Sequence, residues 1–333
     1  MPEGASEPLP NDIGIVAIGR NEGQRLVNCL RSLTLTKCAI VYVDSGSTDG
    51  SIVIARELGA NVVNLDLNIP FTAARARNAG FASLLMAMPS LKYVQFIDGD
   101  CILDAEWINV AGKFLDENPG VACVCGRLNE RFPNASFYNA LCDAEWDTPI
   151  GETTQCGGIA MFRVESLKAV GGYRDDLIAG EEPELCVRLR ENNWKIVRID
   201  HAMASHDADI HRFGQWWNRS VRAGHAYANI VYIHFNSPKS IWKRELARSI
   251  AWGFLLPCII LAIFLYSWPL GVAAVALYPA QVVRIMLRSR MQPLEGFKYS
   301  VLLVATKFSE AFGALRFFYR QATGQTQKLI EYK

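Results

Sequence analysis

The chain has 333 residues, with 34 Lys and Arg against 33 Asp and Glu, a formal net charge of +1. That balance excludes nucleic-acid binding through bulk positive charge, and 50% hydrophobic against 20% charged residues excludes a disordered chain. The length suits one large domain or two modest ones, and a mean hydropathy of +0.10 points to a segment in a membrane.

Residues 1–11 have neither a basic start nor an apolar core, so a short disordered tail is expected rather than a signal peptide. The nine cysteines are scattered, mostly inside apolar runs, with no paired CxxC motifs. A structural zinc site is therefore not expected, and a reducing compartment is. IGIVAIG (13–19) reads as a buried parallel strand, followed by a helix from Glu22 to Leu33 with Leu26, Leu30 and Leu33 on one face. CAIVYVD (38–44) is a second strand, and SGSTDGS is a turn with helix-capping chemistry leading into SIVIARELG. ANVVNL is a third strand, FTAARARNAGFASLLMAM a long helix, and YVQFID (93–98) a fourth strand. This alternation predicts an α/β fold with a mostly parallel sheet and helices on both faces. In such sheets ligands bind beyond the carboxyl ends of strands. The polar segments Arg20–Gly23, Asp44–Gly50 and Asp98–Asp100 fall at those ends. No GxGxxG or GxxxxGK[ST] motif is present, which removes the main support for dehydrogenase and P-loop readings.

Asp98-Gly99-Asp100 places two carboxylates around a glycine at the end of a buried strand. Gly99 permits a tight turn and the close approach of a bulky ligand. The pair suits Mn²⁺ or Mg²⁺, hard cations that take carboxylate, phosphate and water oxygens and would neutralise a diphosphate leaving group. Asp44 can accept hydrogen bonds from a base or ribose or can cap a helix, although Asp49 fits the capping role better. Gly157-Gly158 precedes a short strand and would let backbone approach a sugar, or is a simple turn. Glu181-Glu182-Pro183-Glu184 reads as an acidic helix start. After the strand WKIVRID, His206 follows, and Arg219 and Arg222 lie three apart on one face of a helix. Trp216 and Trp217 could stack on a sugar or sit at a membrane surface. Asn134 and Asn218 head glycosylation sequons that are expected to stay unused in a cytoplasmic domain.

From Ser249 to Val283 no residue is charged, and Ser267, Trp268, Pro269 and Gly271 form a turn in the middle. This predicts a membrane helical hairpin, either spanning or re-entrant. Lys239, Lys243, Arg244 and Arg248 before it, with Arg284, Arg288 and Arg290 after it, put both ends in the cytoplasm. In the tail, Val304, Phe308, Phe312, Leu315 and Phe318 recur at helical spacing. That spacing predicts an amphipathic helix at the membrane surface or packed on the catalytic domain.

The motifs VAIGRNEG (16–23), VYVDSGSTDGS (41–51), ARARNAG (74–80) and FIDGDC (96–101) together resemble a family 2 glycosyltransferase of the GT-A fold over roughly the first 230 residues. The resemblance implies a nucleotide site from Ile18, Arg20, Glu22 and Asp44, with Arg77 suited to a phosphate. It also implies Asp100 as the more direct metal ligand, Asp98 on ribose or the metal through water, and His206 completing the metal site. The family's catalytic base, usually the Asp of an ED motif, falls on Glu182, with Glu181 as the alternative. Arg219 and Arg222 resemble the QxxRW element, with Arg219 for Gln and Ala223 for Trp, and would contact diphosphate or acceptor. The departure argues against processive synthesis. The expected domains are a tail (1–11), a GT-A domain (12–235), a membrane hairpin (236–292) and an amphipathic helix (293–333). The expected activity is inverting sugar transfer from a nucleotide-diphosphate sugar, UDP-linked first, to a lipid-linked or polysaccharide acceptor at the cytoplasmic face of the inner or plasma membrane. The alternatives are nucleotidyl transfer on the same fold and an inert, nucleotide-binding membrane scaffold.

Overall fold

The computed structural model describes residues 12–289 and 291–327; the expected tail and Arg290 lie outside them. The chain divides into two compact units at His211/Arg212. The helix Phe213–Ile233, α8, therefore belongs with the C-terminal unit rather than with the sheet.

The first unit alternates as predicted through its first half. The strands β1 (Ile13–Gly19), β2 (Ala39–Asp44), β3 (Asn61–Asn64) and β4 (Tyr93–Asp98) are separated by the helices α1 (Gln24–Thr34), α2 (Ser51–Glu57) and α3 (Ala73–Ala87). The apolar stripe Leu26, Leu30 and Leu33 of α1 is buried as predicted. Gly80 lets α3 lie against β1 and β2: a Cβ there would fall 2.4 Å from Val16 Cγ1 and 2.9 Å from Val43 Cγ2.

The second half adds β5 (Cys101–Leu103), α4 (Trp107–Glu117), β6 (Val121–Glu130), α5 (Phe137–Trp146), β7 (Gly151–Thr153), β8 (Ala160–Arg163), α6 (Val164–Ala169), α7 (Glu181–Glu191) and β9 (Lys195–His206). The sheet order is β3-β2-β1-β4-β8-β6-β9-β5, with β7 also paired to β9. Only the β3-β2-β1-β4 half is uniformly parallel. Past β4 the sheet is mixed, because β8 runs antiparallel to both β4 and β6, and β5 and β7 run antiparallel to β9. The expectation of a mostly parallel sheet is corrected to this extent: short strands returning without a crossover helix pair antiparallel. The core is one apolar cluster running from Ile13 to Ala204. All nine cysteines are free thiols.

The second unit is helical. Two helices, Lys243–Tyr266 (24 residues) and Trp268–Arg288 (21 residues), are long and apolar enough to cross a membrane. At 1.5 Å per residue they reach roughly 36 and 31 Å, about the thickness of a bilayer's hydrocarbon core. The flanking helix thus supplies the length that the uncharged stretch lacks. A π turn at Ala251–Leu255 interrupts the first, just before Pro257, whose ring cannot sit in a regular helical ladder. The C-terminal helix spans Pro293–Ala322. Its buried face is made largely of small residues and lies beside the apolar stripe rather than along it. Gly296, Ser300, Thr306, Ser309, Glu310, Gly313, Ala314 and Phe317 face inward, whereas Phe312 is 55% and Phe318 39% exposed. Small residues let helix backbones touch: a Cβ at Gly313 would lie 2.0 Å from the Val221 carbonyl oxygen of α8, and one at Gly224 1.9 Å from that of Glu310. This arrangement, with small residues between helices and large apolar ones outside, is how helices pack in lipid.

Candidate active site

The site is built at the carboxyl ends of β1, β2 and β4. Pairing places Ile18 beside Asp98 and Gly19 beside Asp44. The Gly99 amide donates to the Ile18 carbonyl at 2.8 Å, fastening the Asp98–Asp100 turn to the end of β1. Asp44 is buried, and its Oδ2 accepts from the Gly46 and Ser47 amides at 2.9 and 2.8 Å while Tyr42 donates to Oδ1 at 3.1 Å. Asp44 therefore holds its own turn at the end of β2. Asp49 caps α2 from one residue before Gly50: Oδ1 takes the Ser51 amide, and Oδ2 takes the Gly23 amide at 2.9 Å. Asn21 accepts from the Thr48 amide and donates its own amide to Ser47 Oγ. These bonds stitch the loop after β1 to the loop after β2. Within them Arg20 stacks over the Phe71 ring at 4.6 Å, and Glu22 pairs with Arg25 at 3.0 Å.

Arg77, on the buried face of α3, gathers three acids. Nη1 meets Glu182 Oε1 at 2.6 Å and Glu181 Oε1 at 3.1 Å, and Nη2 meets Asp98 Oδ1 at 2.9 Å. Burial works against its charge, but Glu182, Asp98, Tyr173 and Glu181 hold it charged. The phosphate role expected for Arg77 does not match this placement, since its terminal nitrogens are taken up by protein carboxylates. Glu181 and Glu182 enter at the first turn of α7, where Gly180 adopts a left-handed conformation (φ 80°) and the helix amides face the acids. Burial pushes the Glu182 carboxyl up, to about 7; Arg77 opposes the shift, and Glu181 and Asp98 add to it. The Glu182 side chain retains 11% exposure against 4% for Glu181.

Gly158 closes this cluster. A Cβ there would fall 2.7 Å from Arg77 Nη2, 2.9 Å from Asp98 Oδ2 and 3.1 Å from Glu182 Oε1. Only hydrogen fits between backbone and acids. Gly157, by contrast, is exposed and has open space beside it.

The metal-type cluster is set by strand register. In the β5–β9 pair Cys101 lies opposite His206, which brings His206 Nε2 to 3.1 Å from Asp100 Oδ2. Ligand atoms of Asp100, Cys101 and His206 lie within 4.8 Å of one another. Burial, with Asp100 next, pushes the Cys101 thiol well above its usual range, so the carboxylate and the imidazole are the readier donors. That donor set fits a hard divalent ion that keeps its remaining positions for phosphate oxygens and water.

Residue patterns alone missed three neighbours. Trp146 lies 4.9 Å from the His206 ring, the Tyr173 ring lies 5.6 Å from the Arg77 guanidinium, and Asn78 fixes the Tyr173 loop by exchanging bonds with its amide and carbonyl. The available signals were weak: an aromatic after Gly171-Gly172, and an Asn beside a helical Arg. Arg219 and Arg222 lie on α8 in the C-terminal unit, where Arg219 stacks over Trp216 at 5.1 Å. The Trp216 indole is buried and donates to Thr306 at 3.1 Å, so it is not a free stacking platform.

Residues 15–171 match the family model described as glycosyl transferase family 2, and residues 140–212 match the one described as the N-terminal domain of galactosyltransferase. The chain is 24% identical over 248 residues to glycosyltransferase AglE of Haloferax volcanii, a match covering 71% of this chain and 78% of the relative. It is 25% identical over 252 residues to the pre-mycofactocin glycosyltransferase of Mycobacterium tuberculosis, where the match covers 70% of this chain and half of the relative. Among solved structures, the mannosyltransferase PcManGT from Pyrobaculum calidifontis, in complex with GDP-Man and Mn²⁺, aligns with a TM-score of 0.60 at 18% identity. That alignment covers 91% of this chain and 87% of PcManGT.

Proposed function

We propose that this chain, which carries a family 2 glycosyltransferase domain of GT-A type, is a metal-dependent, inverting enzyme of the cytoplasmic membrane face. It moves one sugar from a nucleotide-diphosphate donor to a lipid-linked or polysaccharide acceptor. The observation that carries this reading is the convergence at Gly158: Glu182, whose carboxyl burial pushes up, stands one side chain away from the Asp98–Asp100 turn. A transferase needs that juxtaposition, a base for the acceptor hydroxyl beside a site for the leaving diphosphate.

Asp100 and His206 would hold Mn²⁺ or Mg²⁺, and the ion would offset the charge that develops on the diphosphate. Ile18, Asp44 and the stitched loops around Arg20 and Glu22 receive the nucleoside, and Asp98 turns its exposed side toward the ribose. Gly157, exposed with open space beside it, would let backbone approach the sugar. Glu182 takes the acceptor proton, because of the two acids on Arg77 it is the more open; Glu181 stays behind it as a fixed counter-charge. Arg77 positions both. The two apolar helices support membrane attachment, and their basic flanks support a cytoplasmic domain.

The test is nucleotide release and sugar transfer by the full chain in detergent, with Mn²⁺, a panel of UDP- and GDP-sugars, and membrane lipid extract. One donor should be consumed, and Asp100→Ala should abolish turnover. Glu182→Gln should retain donor binding and lose about 10²- to 10⁴-fold in rate. Unchanged turnover in Glu182→Gln would move the base to Glu181. Donor binding without turnover in any combination would leave an inert scaffold.

A further inference from the structure

Glu130 closes β6 with a buried side chain that the transferase reading does not use. No Lys or Arg pairs with it among the described residues, and amides fill its oxygens instead. Oε1 accepts from the Phe132 amide at 2.9 Å and from Asn139 Nδ2 at 3.3 Å, and Oε2 accepts from the Ala208 amide at 2.9 Å. Burying an acid without a counter-charge is costly, so stability alone is a poor reason to keep one here. Its place in the sheet supplies another. Glu130 lies opposite His206 in the β6–β9 register, and the Arg131 amide donates to the His206 carbonyl at 2.9 Å.

After His206 the chain leaves the sheet and turns through Asp209, whose φ of 51° is left-handed, an uncommon conformation for a residue with a side chain. Such backbone persists where its neighbours over-determine it. The amides on either side of Asp209 are both taken: that of Ala208 by Glu130, and that of Ile210 by Asn139 Oδ1 at 3.1 Å. Asn139 is fully buried in the first turn of α5. Its own amide donates to Ser136 Oγ at 2.9 Å, and the Ser136 hydroxyl donates to the Ile210 carbonyl. At its other end α5 returns to the site, where Trp146 meets the His206 ring at 4.9 Å.

We propose that Glu130 and Asn139 are positioning residues for the metal site: they fix the turn after His206 and so hold its Nε2 where it reaches Asp100, ready for a divalent cation. The inference rests on the reading of Asp100 and His206 as metal donors. Each residue acts through a backbone amide rather than on the imidazole. The residue types fit the task. Glu130 offers acceptors to three donors at once, whereas a Gln there would set an N–H against one of them. Asn139 presents an acceptor to Ile210 and a donor to Glu130 together, which neither Asp nor Leu can do.

The test is Mn²⁺ titration of the full chain in detergent with no donor sugar, the free ion being read by electron paramagnetic resonance, so that turnover plays no part. The unaltered chain should bind Mn²⁺, and His206→Ala should lose most of that affinity. Glu130→Gln should weaken binding about 10- to 100-fold, the range for groups that orient a metal's ligands. Ser136→Ala removes only the hydroxyl that holds Ile210 and caps α5, and it should weaken binding about threefold. It keeps the test usable if Glu130→Gln does not fold. Tyr93→Phe is the stability control, because it deletes a 2.6 Å hydrogen bond to Asp116 at the opposite end of β4 from Asp98. It should lower the unfolding temperature and leave Mn²⁺ affinity where it was. Unchanged affinity in the folded Glu130→Gln and Ser136→Ala, or a loss in Tyr93→Phe as large as theirs, overturns the positioning role. No Mn²⁺ bound by the unaltered chain, or equal affinity in His206→Ala, overturns the metal reading itself and the positioning role with it.

Discussion

The two units solve the problem of buried charge in opposite ways. In the sheet domain charge is drawn inward and neutralised: Arg77 lies in the core with Glu181, Glu182 and Asp98 around it. In the helical unit small residues, Gly313, Gly224 and Ser309, bring helix backbones together beside buried Trp216 and Phe317, while several other leucines and phenylalanines face outward. The acid it buries among the described residues, Glu310, is met by Lys307 at 2.6 Å and by Ser249. The contrast follows the difference between packing in water and packing in lipid. Water rewards apolar burial, so a water-soluble unit can accept a few ionised groups inside if they are fully paired. Lipid gives no reward for hiding a leucine, so close backbone contact decides the packing.

The largest effect should come from breaking the neutralised cluster. Arg77→Met leaves three acids facing one another without a counter-charge, and a loss of about 3–5 kcal/mol is expected in chemical unfolding of the sheet domain. The loss should shrink at acid pH, where the carboxylates take up protons. The same cluster sets the pH profile. Glu182 must be ionised to act as base, and its carboxyl lies near 7. Activity should therefore rise with pH through about 7 and level off above it, and a flat profile across pH 6–8 would remove Glu182 from the role. Conservative replacement of the hub by Arg77→Lys, with fewer donors, should move that limb to higher pH.

The next effects probe the outward face and then the helix contacts. Leu255 lies mid-helix in the first apolar segment and is 49% exposed. Leu255→Arg should cost roughly 2.5–3.5 kcal/mol of membrane insertion if the helix spans a bilayer, read as loss from alkali-washed membranes. In a water-facing helix the same change would cost under about 0.5 kcal/mol. Gly313→Val should lower the unfolding temperature in detergent, corresponding to about 1–3 kcal/mol, because the added carbons meet a backbone oxygen that cannot move aside. Gly120→Ala, at a position with open space, should leave it unchanged.

Legibility in the sequence follows the same division. The four parallel strands were readable because each is a continuous apolar run ending at a polar turn, and the three helices between them carry their own periodicity. The short strands Cys101–Leu103 and Gly151–Thr153 have no such signature, because three residues cannot show a period. Yet one of them sets the position of His206: the resemblance named His206 beside Asp100, and the strand register supplies the geometry of the pair. Asp98 and Asp100 were visible from their place after a buried strand. The role of Arg77 was not, since its glutamate partners lie more than 100 residues further along the chain. The C-terminal helix was legible in part: its apolar stripe shows in the spacing, but the small-residue face that the structure buries carries no hydrophobic period of its own.

The smallest effect expected is at Asp49, and it tests whether the two loops at the strand ends act as one piece. Its side chain accepts from the Ser51 amide on its own helix and from the Gly23 amide across the site. Hydrogen bonding, against a desolvation that works the other way, holds its carboxyl below the usual range, so it is ionised throughout the working pH. Asp49→Ala removes a cap and a stitch together, and about 1 kcal/mol of stability should be lost. Asp49→Asn keeps an acceptor for the helix amide and should restore most of that. Gly23, however, is at φ 53° and follows Asn21 at φ 55°, so the loop after β1 depends on the cross-strand bond to keep its shape. Donor KM should therefore rise in Asp49→Ala with kcat little changed, because the chemistry sits on other residues. An equal fall in kcat would mean that the stitched loops also set the position of the Asp98–Asp100 turn, through the Ile18 carbonyl that Gly99 grips.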